Sequence, residues 1–189
     1  PTPPPPPEVG AEESEAWVRD YVALVTALLN SGRSVDDVLN TLTGWSTASG
    51  EAMGEPSTVV WAESGDVDDD GADEWLMSLP VPGRGCSAMQ CPSYLVLFEV
   101  REDLFVPGHV VRGSPPYEIQ AQNAELRQID DINGDNQTEV LLQQRWCGAH
   151  TCFIGLTVGR WDGVHWHDLA AQPISQAYTE LTVGDSDGD

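Results

Sequence analysis

Basic side chains are scarce, 8 against 31 acidic ones, which leaves a formal net charge of −23 over 189 residues. A nucleic-acid backbone needs a cationic footprint, so charge alone excludes nucleic acid as a partner. Long apolar runs are missing too, and none reaches the roughly 20 residues that a membrane-spanning helix requires. With no initiator Met and no charged-then-apolar leader, the sequence reads as a mature or trimmed segment whose secretion signal is gone. Catalytic groupings are equally thin. His109 and His150 fall in expected loops with no nucleophile nearby, and no Ser-His-Asp or Cys-His arrangement emerges. The expectation is a protein that is not an enzyme, with a glycosidase-type carboxylate pair as the one enzymatic reading that so many acids leave open.

Cysteines are few but regular. Cys86 and Cys91 form one pair and Cys147 and Cys152 another, with identical spacing. Two readings compete, local disulfides and a four-cysteine zinc site; zinc knuckles space their pairs more tightly, which favours disulfides. Each bridge would close a short loop and contribute about 2 kcal/mol in the chain-entropy picture. Disulfides imply an oxidising compartment, extracellular or periplasmic, and the expected location is secreted, extracellular or at the cell surface.

What is present changes character along the chain. Residues 1–10, PTPPPPPEVG, form a proline-rich extended tail of polyproline II type. In residues 11–45, Trp17, Tyr21, Leu24, Val25, Leu28 and Leu29 recur at helical spacing, Asn30 to Gly32 stop that helix, and Ser34 caps a second one through Leu42. This predicts a helical hairpin. From about Ser57 the period switches to short β-rich runs: STVVWAE, EWLMSLPV, YLVLFEV, AELRQID, TEVLLQQRW, CFIGLTVGRW and YTELTV. Asp162-Gly163 reads as a hairpin turn, with His165 and His167 alternating along the strand beyond it; exposed strand histidines are the plainer reading there, a second metal site the sharper one.

The β-rich part repeats. The order strand, acidic loop, strand, cysteine hairpin, strand occurs over residues 57–120 and again over 121–175, and residues 176–189 begin a third copy. Repeats of roughly sixty residues point to stacked or radially arranged units.

The acidic loops carry the chemistry. Loop positions one, three, five, six, seven and nine hold Asp66, Asp68, Asp70, Gly71, Ala72 and Glu74 in the first copy. The second copy has Asp131, Asn133, Asp135, Asn136, Gln137 and Glu139. Clustered carboxylates repel one another unless a cation neutralises them. Calcium seeks six to eight oxygens in a flexible shell, and alternate residues of a curved loop supply them. Position six must turn sharply, which suits Gly or Asn. Position seven can offer its carbonyl, and position nine can close the shell. An EF-hand is excluded, because its twelfth position must be a carboxylate and Met77 or Leu142 stands there. The sequon Asn136-Gln137-Thr138 lies inside the second loop and is expected to stay unmodified.

GDVDDDGADEWLM and DDINGDNQTEVLL resemble the calcium loops of FG-GAP repeats, also called VCBS-type repeats, which build the blades of the integrin alpha-chain β-propeller and of many bacterial surface proteins. The resemblance covers roughly residues 57–189 and implies four-stranded blades with Ca2+ held after the first strand. The implied ligands are Asp66, Asp68, Asp70, the Ala72 carbonyl and Glu74, then Asp131, Asn133, Asp135, the Gln137 carbonyl and Glu139. The weaker third set is Asp185, Asp187 and Asp189. Glu at position nine and Asn136 at position six depart from the family's commoner Asp and Gly.

The expected fold is therefore mainly β, with propeller-like blades behind an N-terminal helical hairpin. The expected function is an extracellular, calcium-binding structural or adhesive protein. Its termini invite a protein partner or self-assembly into a surface filament, since PTPPPPP can dock on aromatic grooves and the third repeat has an open edge. The alternative is a carbohydrate-binding module of a larger secreted enzyme, with glycans as ligands and the seven Trp as the aromatic platform.

Overall fold

A computed structural model describes residues 15–47, 60–81, 93–111, 125–147, 152–169 and 174–177. The proline-rich tail, Cys86, Cys91 and the third acidic loop lie outside these residues.

Helices α1 (Glu15–Leu29) and α2 (Val35–Thr47) form where the sequence has helical period. In α1, Val18, Tyr21, Val22, Val25, Leu28 and Leu29 are buried, one stripe of a 3.6-residue repeat. The helix ends as Asn30 N–H and Ser31 N–H donate back to the carbonyls of Thr26 and Leu28, and Gly32 takes φ +79°. Glycine accepts that left-handed conformation without a Cβ clash. Ser34 caps α2 by accepting the Asp37 amide on Oγ at 3.1 Å. Asp36 and Asp37 then face the positive end of the helix dipole. α2 continues past Leu42 through Gly44 to Thr47, and Trp45 is buried with its ring centroid 6.3 Å from that of Tyr21. Burial of that indole outweighs the modest cost of one helical glycine.

The first sheet is an antiparallel meander of β1 (Ala62–Gly65), β2 (Glu74–Pro80), β3 (Ser93–Arg101) and β4 (Leu104–Val111). The second runs β5 (Glu125–Asp130), β6 (Glu139–Cys147), β7 (Cys152–Trp161) and β8 (Trp166–Asp168), and β9 (Ile174–Ala177) also pairs with β7. β8 and β9 share one side of β7, opposite Gly159–Trp161 and Phe153–Leu156 respectively, so together they form an interrupted fourth strand. Both sheets are open; no closed barrel or propeller forms among the described residues. No helix there is long and apolar enough to cross a membrane.

Strand β4 escaped the sequence reading for two physical reasons. Its hairpin turns on Glu102 and Asp103, both at positive φ, without the glycine that usually marks such a turn. The strand also contains Pro107, which a sheet tolerates at an edge, and β4 is an edge strand. Pairing shifts between Leu97 opposite His109 and Phe98 opposite Pro107, so Gly108 is the extra residue of a bulge.

Alternation on β2 and β3 divides the core. Met77, Leu79, Val96 and Phe98 face the helices and pack with Tyr21, Val25, Val38 and Leu42. Leu76, Leu95 and Leu97 face the other way and pack with Val140, Leu142 and Trp161 of the second sheet. The first sheet is thus the middle layer between the helical hairpin and the second sheet, which explains why EWLMSLP is buried on both faces. Two polar ties fasten the helices to it. Tyr21 Oη donates to the Pro80 carbonyl at 2.7 Å, and the Asn30 side chain exchanges hydrogen bonds with both backbone groups of Phe105. Between the sheets, a Cβ on Gly65 would sit 3.2 Å from the Ile129 side chain, so glycine lets β1 and β5 meet.

Candidate metal centre

Each acidic loop connects the first strand of its sheet to the second, 66–73 between β1 and β2 and 131–138 between β5 and β6. In the first, Asp66 accepts the amides of Asp70 (Oδ1, 3.1 Å) and Gly71 (Oδ2, 3.0 Å). Asp68 accepts Asp70 N–H at 3.3 Å, and Asp70 accepts Ala72 N–H at 2.8 Å. Glu74 reaches back to accept the Val67 amide at 3.0 Å. The second loop repeats the scheme. Asp131 accepts Asp135 and Asn136, Asn133 accepts Asp135, Asp135 accepts Gln137, and Glu139 accepts the Ile132 amide at 3.0 Å. In loop numbering, position one holds five and six, three holds five, five holds seven, and nine holds two, twice over.

Backbone conformation repeats as well. Positive φ falls at position six, Gly71 and Asn136, as the turning requirement predicts. It also falls at position four, Asp69 and Gly134, which spacing alone does not announce. Each loop therefore places one glycine and one Asp or Asn at its two left-handed positions, the types that tolerate them best.

Among the described residues, Asp66, Asp68 and Glu74 place one carboxylate oxygen each within 4.8 Å of the others. Calcium–oxygen bonds are about 2.4 Å, so oxygens sharing an ion lie no more than about 4.8 Å apart; this triad has the right size. All three donors are hard oxygens, and Glu74 is only 4% exposed at the floor of the loop. Burial pushes the Glu74 carboxyl up to about 7, with further upward pressure from Asp68, Asp70 and Asp66 and partial relief from the Val67 amide. Asp68 is also raised, first by burial and then by Asp70. Such groups gain from a cation and lose from its absence.

The second loop differs in charge. Asn133 replaces an aspartate at position three, and its Nδ2 donates to Glu139 Oε1 at 3.2 Å. Arg160 on β7 brings Nη1 to 3.9 Å from Asp135 Oδ2, so an internal cation already stands beside this loop. Glu139, at 1% exposure, occupies the same floor position as Glu74.

The two loops touch. Asp69, exposed at the tip of the first, accepts the Thr138 amide on Oδ2 at 2.9 Å and the Thr138 hydroxyl on Oδ1 at 2.6 Å. Those bonds hold its carboxyl below the usual range, with Arg160 assisting. The turn between β7 and β8 closes over the same end, and a Cβ on Gly163 would lie 3.0 Å from Asp68 Oδ2.

The histidines on that turn serve a hairpin. Asp162 Oδ1 accepts the amides of Val164 (2.9 Å) and His165 (2.6 Å), and its Oδ2 lies 2.7 Å from His167 Nε2. Those contacts, led by His167, hold the Asp162 carboxyl well below the carboxylate range. The imidazoles of His165 and His167 stand 6.4 Å apart and are not drawn into a compact ligand group. Elsewhere in the second sheet, the β6–β7 register sets Cys147 opposite Cys152.

Comparison of the chain with protein-family models, with curated proteins and with solved structures gives no match in any of the three.

Proposed function

We propose that this chain is a calcium-binding module of an extracellular structural or adhesive protein, built of two FG-GAP/VCBS-like blades stacked face to face. One observation carries the reading. The same nine-position loop, with the same hydrogen bonds, the same two left-handed positions and the same buried glutamate, occurs twice at one end of the stack. A solvated turn has no need to bury a carboxylate; a bound cation would offset the cost of burying one.

The first ion would be held by Asp66, Asp68, Asp70, the Ala72 carbonyl and Glu74, the second by Asp131, Asn133, Asp135, the Gln137 carbonyl and Glu139. Calcium supplies charge neutralisation. The chain supplies the rest: backbone amides orient every carboxylate before an ion arrives, and Glu74 and Glu139, each the first residue of the following strand, anchor position two of their loop. Filling both loops stiffens the end where the two sheets meet, which is what a load-bearing or adhesive surface module requires.

Calorimetric titration of the chelator-treated protein tests the reading. Two calcium ions per chain should bind, magnesium should compete poorly, and Asp70→Ala or Asp135→Ala should each remove one ion. Saturation at less than two ions, or equal affinity for magnesium, would overturn it.

A further inference from the structure

By spacing alone the two loops are separate sites, yet two hydrogen bonds join them across the repeats. Asp69 is no ligand by loop position; it lies between Asp68 and Asp70, at positive φ, and points away from the first loop onto the second. Its two carboxylate oxygens take both donors of Thr138. Thr138 is in turn flanked by Gln137 and Glu139, positions seven and nine of the second loop. Anything that fixes Asp68 and Asp70 therefore fixes the residue that holds the segment carrying two second-loop ligands.

Resting on the calcium reading above, we propose that Asp69 is a positioning residue for the second calcium loop and makes the two loops bind calcium cooperatively. The first loop, with four carboxylates at ligand positions against three in the second, fills first. Filling it immobilises Asp69, and Asp69 holds Thr138 so that the Gln137 carbonyl and Glu139 need less ordering when the second ion arrives. The ordering cost is met once instead of twice, and linkage makes the effect reciprocal. Arg160 reinforces the direction: it lies 3.9 Å from Asp135, so the second loop begins with a competing cation that the coupling must offset.

The test is calcium titration of the full chain by calorimetry, in wild type, Asp69→Gly and Thr138→Val, each with and without Asp135→Ala. Glycine keeps the left-handed backbone at position 69 and removes only the side chain. Wild type should bind two ions, the second at least about fivefold more tightly than independent sites allow. Asp69→Gly should still bind two ions, but independently, with second-loop affinity lower by the same factor. In the Asp135→Ala background the first loop is read alone, and the change that Asp69→Gly makes there is subtracted before the coupling factor is taken. Thr138→Val, which loses one of the two contacts, should retain only part of the cooperativity, and it carries the test if Asp69→Gly fails to fold by circular dichroism. Two independent sites in wild type, or full cooperativity in either variant, overturns the coupling alone. A chain that binds no calcium overturns the coupling and the calcium reading together.

Discussion

Calcium affinity of the first loop should depend on pH near neutrality, through Glu74. This carboxyl is 4% exposed and is pushed up to about 7 by burial and by the neighbouring aspartates. A calcium ligand must be deprotonated, so the ion competes with one proton at this position. At pH 7 the calcium-free chain is then about half protonated at Glu74, and affinity lies about twofold below its alkaline limit. At pH 6 the deficit grows to about tenfold, and about half a proton should be released per ion bound at pH 7. The sign for stability without calcium follows from the same shift. The folded value lies above the ordinary 4.5, so the contribution of Glu74 is fully present below pH 4.5 and is lost as pH rises through 7. The loss amounts to about 3 kcal/mol at most. The calcium-free melting temperature should therefore fall across that window, and calcium should restore it. Calorimetry in PIPES and in imidazole, buffers of different ionisation enthalpy, measures the proton release, with Glu74→Gln as the control that binds more weakly and without the slope. A first-loop affinity flat from pH 5.5 to 7.5, or an unchanged slope in Glu74→Gln, would refute the reasoning.

Other outcomes follow from the same geometry. Chelation should lower the melting temperature, since an ion at a hundred times its dissociation constant stabilises the native state by about 2.7 kcal/mol; an identical melt in excess EGTA would count against calcium as a structural ion. The second loop should bind more weakly than the first, and Arg160→Gln should strengthen it by about two- to fivefold by removing the cation beside Asp135, as read in the Asp70→Ala background; no change would show that Arg160 has no bearing on the site. Tyr21→Phe should cost about 1–3 kcal/mol in urea unfolding, because the Pro80 carbonyl loses its buried donor while the ring packing stays.

The helical hairpin was legible because its signals are local. Ser34 caps with its own side chain, Gly32 turns with its own backbone, and the apolar stripe of α1 follows one period. Strand β2 was legible as a strand, but its double-sided burial was not, because both of its covers come from elsewhere: the helices on one face, and Val140, Leu142 and Trp161 on the other. β4 shows the opposite case, where local signals mislead. Pro107 argues against a strand, and Glu102-Asp103 lacks a turn glycine, yet edge position and a bulge at Gly108 accommodate the first and two left-handed residues supply the second.

The loops divide along the same line. Spacing singles out positions one, three, five and nine because each depends on the curvature of its own loop, and the repeated hydrogen bonds of both copies fall on those positions. Asp69, Thr138, Arg160 and Gly163 could not, since each matters only once two sheets are stacked so that both loops emerge at one end. One signal did exist. Aligning the loops sets Asp69 against Gly134 at position four, an acid where the equivalent residue has no side chain, and a repeat that keeps its oxygen-bearing positions but differs there marks a residue serving something other than its own loop. What Asp69 serves is its neighbour. A repeat protein gains stiffness from the contacts between units as much as from the units themselves. Under the calcium-binding proposal, a carboxylate held by loop one and holding loop two is the contact through which ions bound one repeat apart would act on each other.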